Sequence, residues 1–144
     1  MDAQQMWKLY TNSEKISGDY EAWAFGDAPD ELAQLVLKGE KTGTSSAYIW
    51  YDIENEPLPK VGEYSVILDS NDDAVCIIRN IRVYVTSFEQ VTEEHARKEG
   101  EGDRSLAYWR KVHENFFTKV LSEAGYAFDE KMGIVCEEFV RVFP

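Results

Sequence analysis

Lys41, Thr42, Thr44, Ser45 and Ser46 bring one ammonium and several hydroxyls into a short segment, and a second polar cluster, Glu99-Gly100-Glu101-Gly102-Asp103, follows later in the chain. A threonine hydroxyl is a weak nucleophile and needs a base within hydrogen-bond reach. A lysine can be that base only when deprotonated. Burial pushes a lysine toward its neutral form and a neighbouring carboxylate pushes it back, so the pairing of Lys41 with Glu99 decides its role. As a base, Lys41 would activate Thr44 while Glu99 positions water or the leaving group. As a cation, it would hold an oxyanion or a phosphate. Glu101 is the alternative acid facing a cleft, and Asp103 is placed to cap a following helix. Thr42, Ser45 and Ser46 offer hydroxyls to a base edge or phosphate, although such residues readily bond the local backbone instead.

Aromatic residues add a second kind of chemistry. Trp23, Tyr48, Trp50, Tyr51 and Trp109 include candidates for stacking a nucleobase, an interaction worth about 1–3 kcal/mol per base. Trp23, beside Phe25 and Gly26, is the candidate for an exposed stacking surface, whereas Trp109 falls on the apolar face of a helix pattern. His95 and His113 lack the spacing of a helical zinc site. No metal and no cofactor are expected. Cys76 and Cys136 each sit in an apolar run and read as buried, reduced thiols.

The elements that must position these groups follow from periodicity. Pro29, Asp30 and Glu31 open a helix with the apolar face Leu32, Leu35 and Val36, and Gly39 suits the left-handed position that ends it. A first helix carries Met6, Leu9, Tyr10 and Ile16, followed by Tyr20, Trp23 and Phe25 in a mixed turn region. Ser45–Tyr51 reads as a strand, rich in aromatic residues. Tyr64–Leu68 and Ala74–Ile78 form a hairpin about a polar turn. Arg79–Ser87 reads as a further strand with Ile81, Val83 and Val85 toward the core. Thr92 caps a short helix that stops at Gly100. Asp103 caps a long one through Leu106, Trp109, Val112, Phe116 and Phe117 that ends at Gly125. Gly133–Phe143 closes the chain as a strand. This order predicts an α+β fold around a small mixed or antiparallel β-barrel with flanking helices.

The chain has 144 residues, 44% of them apolar, enough for one well-formed core. No apolar run is long enough for a membrane span, and the polar N-terminus has no secretory apolar core, so a cytoplasmic protein is expected. Fifteen basic residues against twenty-seven acidic ones leave a net charge of −12. That balance disfavours a protein that coats nucleic-acid duplexes. A small substrate is a different matter, because a local cation can outweigh distant acids when the Debye length is about 8 Å.

The stretches Trp23-Ala24-Phe25-Gly26-Asp27, Leu37-Lys38-Gly39-Glu40-Lys41-Thr42-Gly43-Thr44-Ser45-Ser46 and Glu99-Gly100-Glu101-Gly102-Asp103-Arg104-Ser105-Leu106, with Trp109, His113 and Phe116-Phe117, together resemble the ASCH domain family. The likeness is to its longer bacterial branch, once labelled a domain of unknown function, and covers roughly Ala22 to Val142. It implies a barrel related to the RNA-binding PUA domains, with residues 1–21 as an N-terminal helical extension and 22–144 as the barrel and its helices. It implies a cleft for a nucleoside or short single-stranded RNA. Activities associated with the family are metal-free hydrolysis of the acyl amide of N4-acylated cytidine and cleavage of RNA; binding without catalysis is the alternative. In the amidohydrolase branch a lysine, a threonine three residues later and a distant glutamate form the catalytic set. Here they fall on Lys41, Thr44 and Glu99. That branch carries an arginine two residues after the threonine, where this chain has Ser46. Thr42, Ser45, Ser46, Trp23 and Glu101 are the expected substrate contacts.

Overall fold

Alternation of apolar residues in two adjacent strands sorts the helices onto opposite faces of one sheet. In the computed structural model, which describes residues 1–144, β3 (Tyr64–Leu68) and β4 (Ala74–Ser87) are antiparallel neighbours. Ile67, Cys76 and Ile78 share one core with Leu32, Ala33 and Val36 of α2 (Pro29–Leu37). Val66 and Ile77, one residue out of phase, pack instead with Met6, Trp7 and Tyr10 of α1 (Ala3–Glu14). The period of two thus separates two cores across a single sheet.

The remaining elements are β1 (Tyr20–Ala24), β2 (Gly43–Ala47), α3 (Tyr48–Ile53), α4 (Glu93–Glu99), α5 (Leu106–Glu123) and β5 (Gly133–Phe143). The strand order is β1-β3-β4-β5-β2. The β1–β3 pair is parallel and the other three are antiparallel, giving an α+β fold whose mixed sheet curls into a half-barrel. A third core joins Trp109, Phe117 and Leu121 of α5 to Ile134 and Cys136 of β5. Cys76 and Cys136 are buried free thiols. No helix is long and apolar enough to cross a membrane.

Several local expectations are corrected. Tyr20–Ala24 is strand rather than turn. The strand expected over Ser45–Tyr51 stops at Ala47, because its pairing partner β5 begins one residue beyond the last pair, Ala47 with Ile134; the aromatic residues that follow form α3 instead. The two strands expected between Ala74 and Ser87 are one. Its apolar alternation is misleading: Ile81 is 51% exposed and Val85 46%. Asn80 pairs with Phe139 and Arg82 with Glu138, which leaves Ile81 as an extra residue in a bulge and turns Tyr84 toward the core. The long helix is capped by Ser105, whose hydroxyl accepts from Tyr108 N at 3.0 Å, and Asp103 accepts from Ser105 N at 2.9 Å.

Candidate active site

Backbone contacts bring the two polar segments together. After α2, Gly39 adopts φ +77°, and the amides of Glu40 and Lys41 both donate to Leu35 O, at 3.0 and 3.1 Å. Thr42 N then donates to Lys98 O at 2.7 Å, and Phe139 N donates to Thr42 O at 3.0 Å. The segment is therefore held between the C-terminus of α4 and β5. Gly100 permits the approach: its φ is +73°, and a Cβ there would lie 2.1 Å from the Glu40 carbonyl oxygen.

Lys41 and Glu99 meet in this junction, 2% and 1% exposed. Lys41 Nζ lies 3.3 Å from Glu99 Oε1, 3.3 Å from the Glu99 carbonyl oxygen and 3.3 Å from Glu101 Oε2. It also stands 5.1 Å from the centre of the Phe25 ring. Glu99 Oε1 is 3.5 Å from His113 Nε2. Glu99 Oε2 accepts from Ser45 Oγ at 2.6 Å, lies 3.1 Å from His95 Nε2 and accepts from Trp109 Nε1. Five side chains thus wrap one carboxylate. Ser45 Oγ is also 2.7 Å from His95 Nε2, and the Trp109 and His113 rings stack at 4.2 Å.

The electrostatics separate the two acids. Burial alone would raise Glu99, but the charge of Lys41 and the contacts of His113 and His95 hold it well below the usual carboxylate range. Burial raises Glu101, the charge of Glu99 adds to that, and Lys41 and His113 pull it partly back. Two neighbouring carboxyls pushed apart in this way suit different parts in acid–base chemistry. Burial opposes protonation of His95, yet Cys136 and Glu99 outweigh it and raise the ring to about 9. His113 is raised as well, with burial again opposed by Glu99 and Glu101. Glu99, Glu101 and His113 also place one potential metal ligand each within 4.8 Å of one another. Lys41 Nζ already stands beside both carboxylates, so a divalent ion would compete with a resident cation.

This cluster opens into a larger space. A cavity of about 50 Å³ around Lys41, Glu99, Glu101 and His113 adjoins one of about 430 Å³ bounded by Trp23, Trp50, Tyr51 and Glu137. Thr44, Ser45, Phe25, Gly26 and Phe116 line both, so Thr44 and Ser45 stand at the threshold. Both edge strands contribute to the larger cleft: Glu21 and Trp23 come from β1, Thr44 and Ser46 from β2. The cleft is the seam at which the curled sheet stops short of closing.

The expected site residues divide accordingly. Lys41, Glu99 and Glu101 form one cluster. Thr44 borders the same small cavity, but it is the Ser45 hydroxyl that bonds Glu99. Ser46 Oγ and Tyr51 OH are 2.9 Å apart in the larger cleft. Trp23 also lines it, edge-on to Phe25 with ring centres 5.0 Å apart. Thr42 Oγ1 turns away to the Lys98 carbonyl at 3.5 Å. Sequence reasoning missed Glu137, the cross-strand partner of Thr44, and Asn80, which donates to Glu137 Oε1 at 2.9 Å. The available signal was the pair Glu137-Glu138, set between the apolar runs Ile134-Val135-Cys136 and Phe139-Val140.

A curled mixed sheet flanked by helices, with a lysine–glutamate cluster opening onto an aromatic cleft, defines a small α+β fold with a recessed polar site. The chain belongs to the ASCH domain family, whose model matches residues 21–143. It is 33% identical to an ASCH domain from Lactobacillus crispatus JV V101, with a TM-score of 0.89, covering 98% of this chain and 94% of that one. Protein EF3133 from Enterococcus faecalis V583 is 32% identical, with a TM-score of 0.90, covering 97% and 87%. The hypothetical protein PH0355, 17% identical with a TM-score of 0.57 over 86% of this chain and all of that one, shares the fold alone. No curated protein matches the sequence.

Proposed function

We propose that the protein binds a cytosine nucleoside in the larger cleft and hydrolyses an acyl amide on its N4 at the threshold of the smaller cavity. The observation that carries this reading is the position of Lys41, 3.3 Å from Glu101 in a cavity that opens past Thr44 onto aromatic walls. The Lys41 Nζ–H groups and the Thr44 hydroxyl stabilise the oxyanion as water adds to the acyl carbon. Glu101 takes the proton from that water and passes it to N4. The carbon–nitrogen bond then breaks, leaving the free amine and a carboxylic acid. Glu99, already encircled by donors, holds Lys41 in place rather than orienting water. Trp23 supplies a ring edge or face to the base.

Two other readings remain for the test. The saturated environment of Glu99 favours a binding module without turnover. Ribonuclease action is less well supported, because Glu21, Glu56, Glu63 and Glu137 line the larger cleft and repel a phosphate backbone. Incubation with N4-acetylcytidine is expected to release acetate with wild type and far less with Lys41→Ala, Thr44→Ala or Glu101→Gln. Release no greater than from those variants would reject hydrolysis. Saturable cytidine binding without release would identify a binding module, and cleavage of labelled RNA lost in Lys41→Ala would identify a nuclease.

A further inference from the structure

Ser45 lines both cavities, yet its hydroxyl has no hydrogen left to offer a ligand. Ser45 Oγ donates to Glu99 Oε2 at 2.6 Å and lies 2.7 Å from His95 Nε2. That nitrogen is in turn 3.1 Å from Glu99 Oε2. A lone pair there would face a carboxylate, which can only accept, so Nε2 carries a hydrogen. Burial opposes the protonated ring, but Cys136 and Glu99 outweigh it and raise His95 to about 9, which keeps that hydrogen in place at neutral pH. The serine therefore accepts from His95 and gives its own hydrogen to Glu99. A hydroxyl has one hydrogen and two lone pairs. With the hydrogen and one pair engaged, Ser45 Oγ retains a lone pair, and a ligand at the threshold meets an acceptor.

We propose that Ser45 Oγ reads the exocyclic nitrogen of the bound base, accepting its N–H and rejecting a ligand that presents an oxygen there. The contact deepens the proposed function and rests on it for the pose, with N4 at the threshold and the acyl group toward the smaller cavity. A secondary amide offers an acceptor oxygen and a donor N–H. Lys41 and Thr44 take the oxygen, and Ser45 takes the hydrogen. Uracil places a carbonyl oxygen where cytosine has its amino group, so two acceptors would meet and neither would be satisfied. An amide methylated on N4 lacks the hydrogen and loses the same contact. The substrate class is thus the secondary amide of a base bearing an exocyclic amine, in preference to a tertiary amide.

Titration calorimetry with cytidine and uridine reads this contact without turnover. Acetate release from N4-acetylcytidine and N4-acetyl-N4-methylcytidine reads it in the reaction. Wild type is expected to bind cytidine roughly tenfold tighter than uridine, with the preference kept in Ser45→Thr and lost in Ser45→Ala. The ratio of secondary to tertiary amide turnover should fall by a similar factor in Ser45→Ala. Where the alanine protein does not fold, Ser45→Cys, with its weakly accepting sulfur, gives the same reading. Equal binding of the two nucleosides by wild type, with acetate still released from N4-acetylcytidine, overturns the Ser45 contact and leaves hydrolysis standing. A cytidine preference lost in Ser45→Ala, with no acetate released by wild type, upholds the contact and overturns hydrolysis. A preference that survives in Ser45→Ala overturns the assignment to Ser45, and binding of neither nucleoside overturns both readings.

Discussion

Lys41 and Glu99, 58 positions apart in sequence, meet at 3.3 Å with both side chains almost wholly buried. The pair is unequal. Glu99 also contacts Ser45, His95, His113 and Trp109, whereas the other side-chain oxygen near Lys41 belongs to Glu101. Removing the Glu99 side chain takes the shared acceptor from two histidines and an indole N–H and leaves Lys41 with Glu101 and a backbone carbonyl; removing Lys41 leaves Glu99 with four partners.

Glu99→Ala is accordingly expected to cost about 3–5 kcal/mol of stability, and Lys41→Met distinctly less while still abolishing acetate release. Urea unfolding of both variants measures the difference. Equal losses would mean that the ion pair alone, not the wider network, stabilises this junction.

The histidines make stability depend on pH. His95 is raised to about 9 from an ordinary 6.5, so the folded protein keeps a proton that the unfolded chain has released between those values. Its contribution, on the order of 3 kcal/mol, is complete below pH 6.5 and gone above about 9. Glu99 acts in the opposite sense, since its lowered value contributes above the ordinary carboxylate range and fades as pH falls through the folded value. Stability is expected to peak between roughly pH 5 and 6.5 and to decline toward 9. Denaturant titrations at stepped pH should show that decline flattened in His95→Gln, and an unchanged slope would remove His95 as its source.

Gly100→Ala tests how the two polar segments are brought together. The new methyl would meet the Glu40 carbonyl in a left-handed backbone conformation. A loss of roughly 2–3 kcal/mol is expected, with activity falling as Lys41 is displaced. Wild-type unfolding and turnover in this variant would show that the close approach is dispensable.

At the start of α5, Ser105→Ala is expected to cost about 1 kcal/mol, because its hydroxyl satisfies a first-turn amide. Asp103→Ala should cost less, since its exposed carboxylate bonds only the turn before the helix. Thermal melts of both variants rank the two, and the reverse order would restore Asp103 as the cap.

Sequence patterns were most legible where one local rule governed an element. The ends of α2 follow from Pro29 and Gly39, and the β3–β4 turn from a run of polar residues. The failures arose where a distant segment decided. Tyr48-Ile49-Trp50-Tyr51 has strand propensity but no strand to pair with, and one bulge at Ile81 reverses which face of β4 is apolar. Lys41 and Glu99, taken from a family pattern, and Glu101, taken from its glycine-flanked segment, do meet in one cluster. Ser45, expected as a substrate contact, lines both cavities and also bonds Glu99, a contact that depends on the packing of α4 against β2. Glu137 lies in a segment that reads only as the closing strand. Only its register opposite Thr44 brings it to the cleft.

The gap between β1 and β2 has a mechanical consequence. No ladder of backbone bonds ties its two lips, so its aperture depends on what is wedged beside it. A Cβ on Gly26 would come within 2.9 Å of the Phe116 ring, which makes that ring a doorstop braced on bare backbone. Exchanging bulk between these two positions offers a way to resize the mouth from the margin of the α5 core, against which Phe116 also packs.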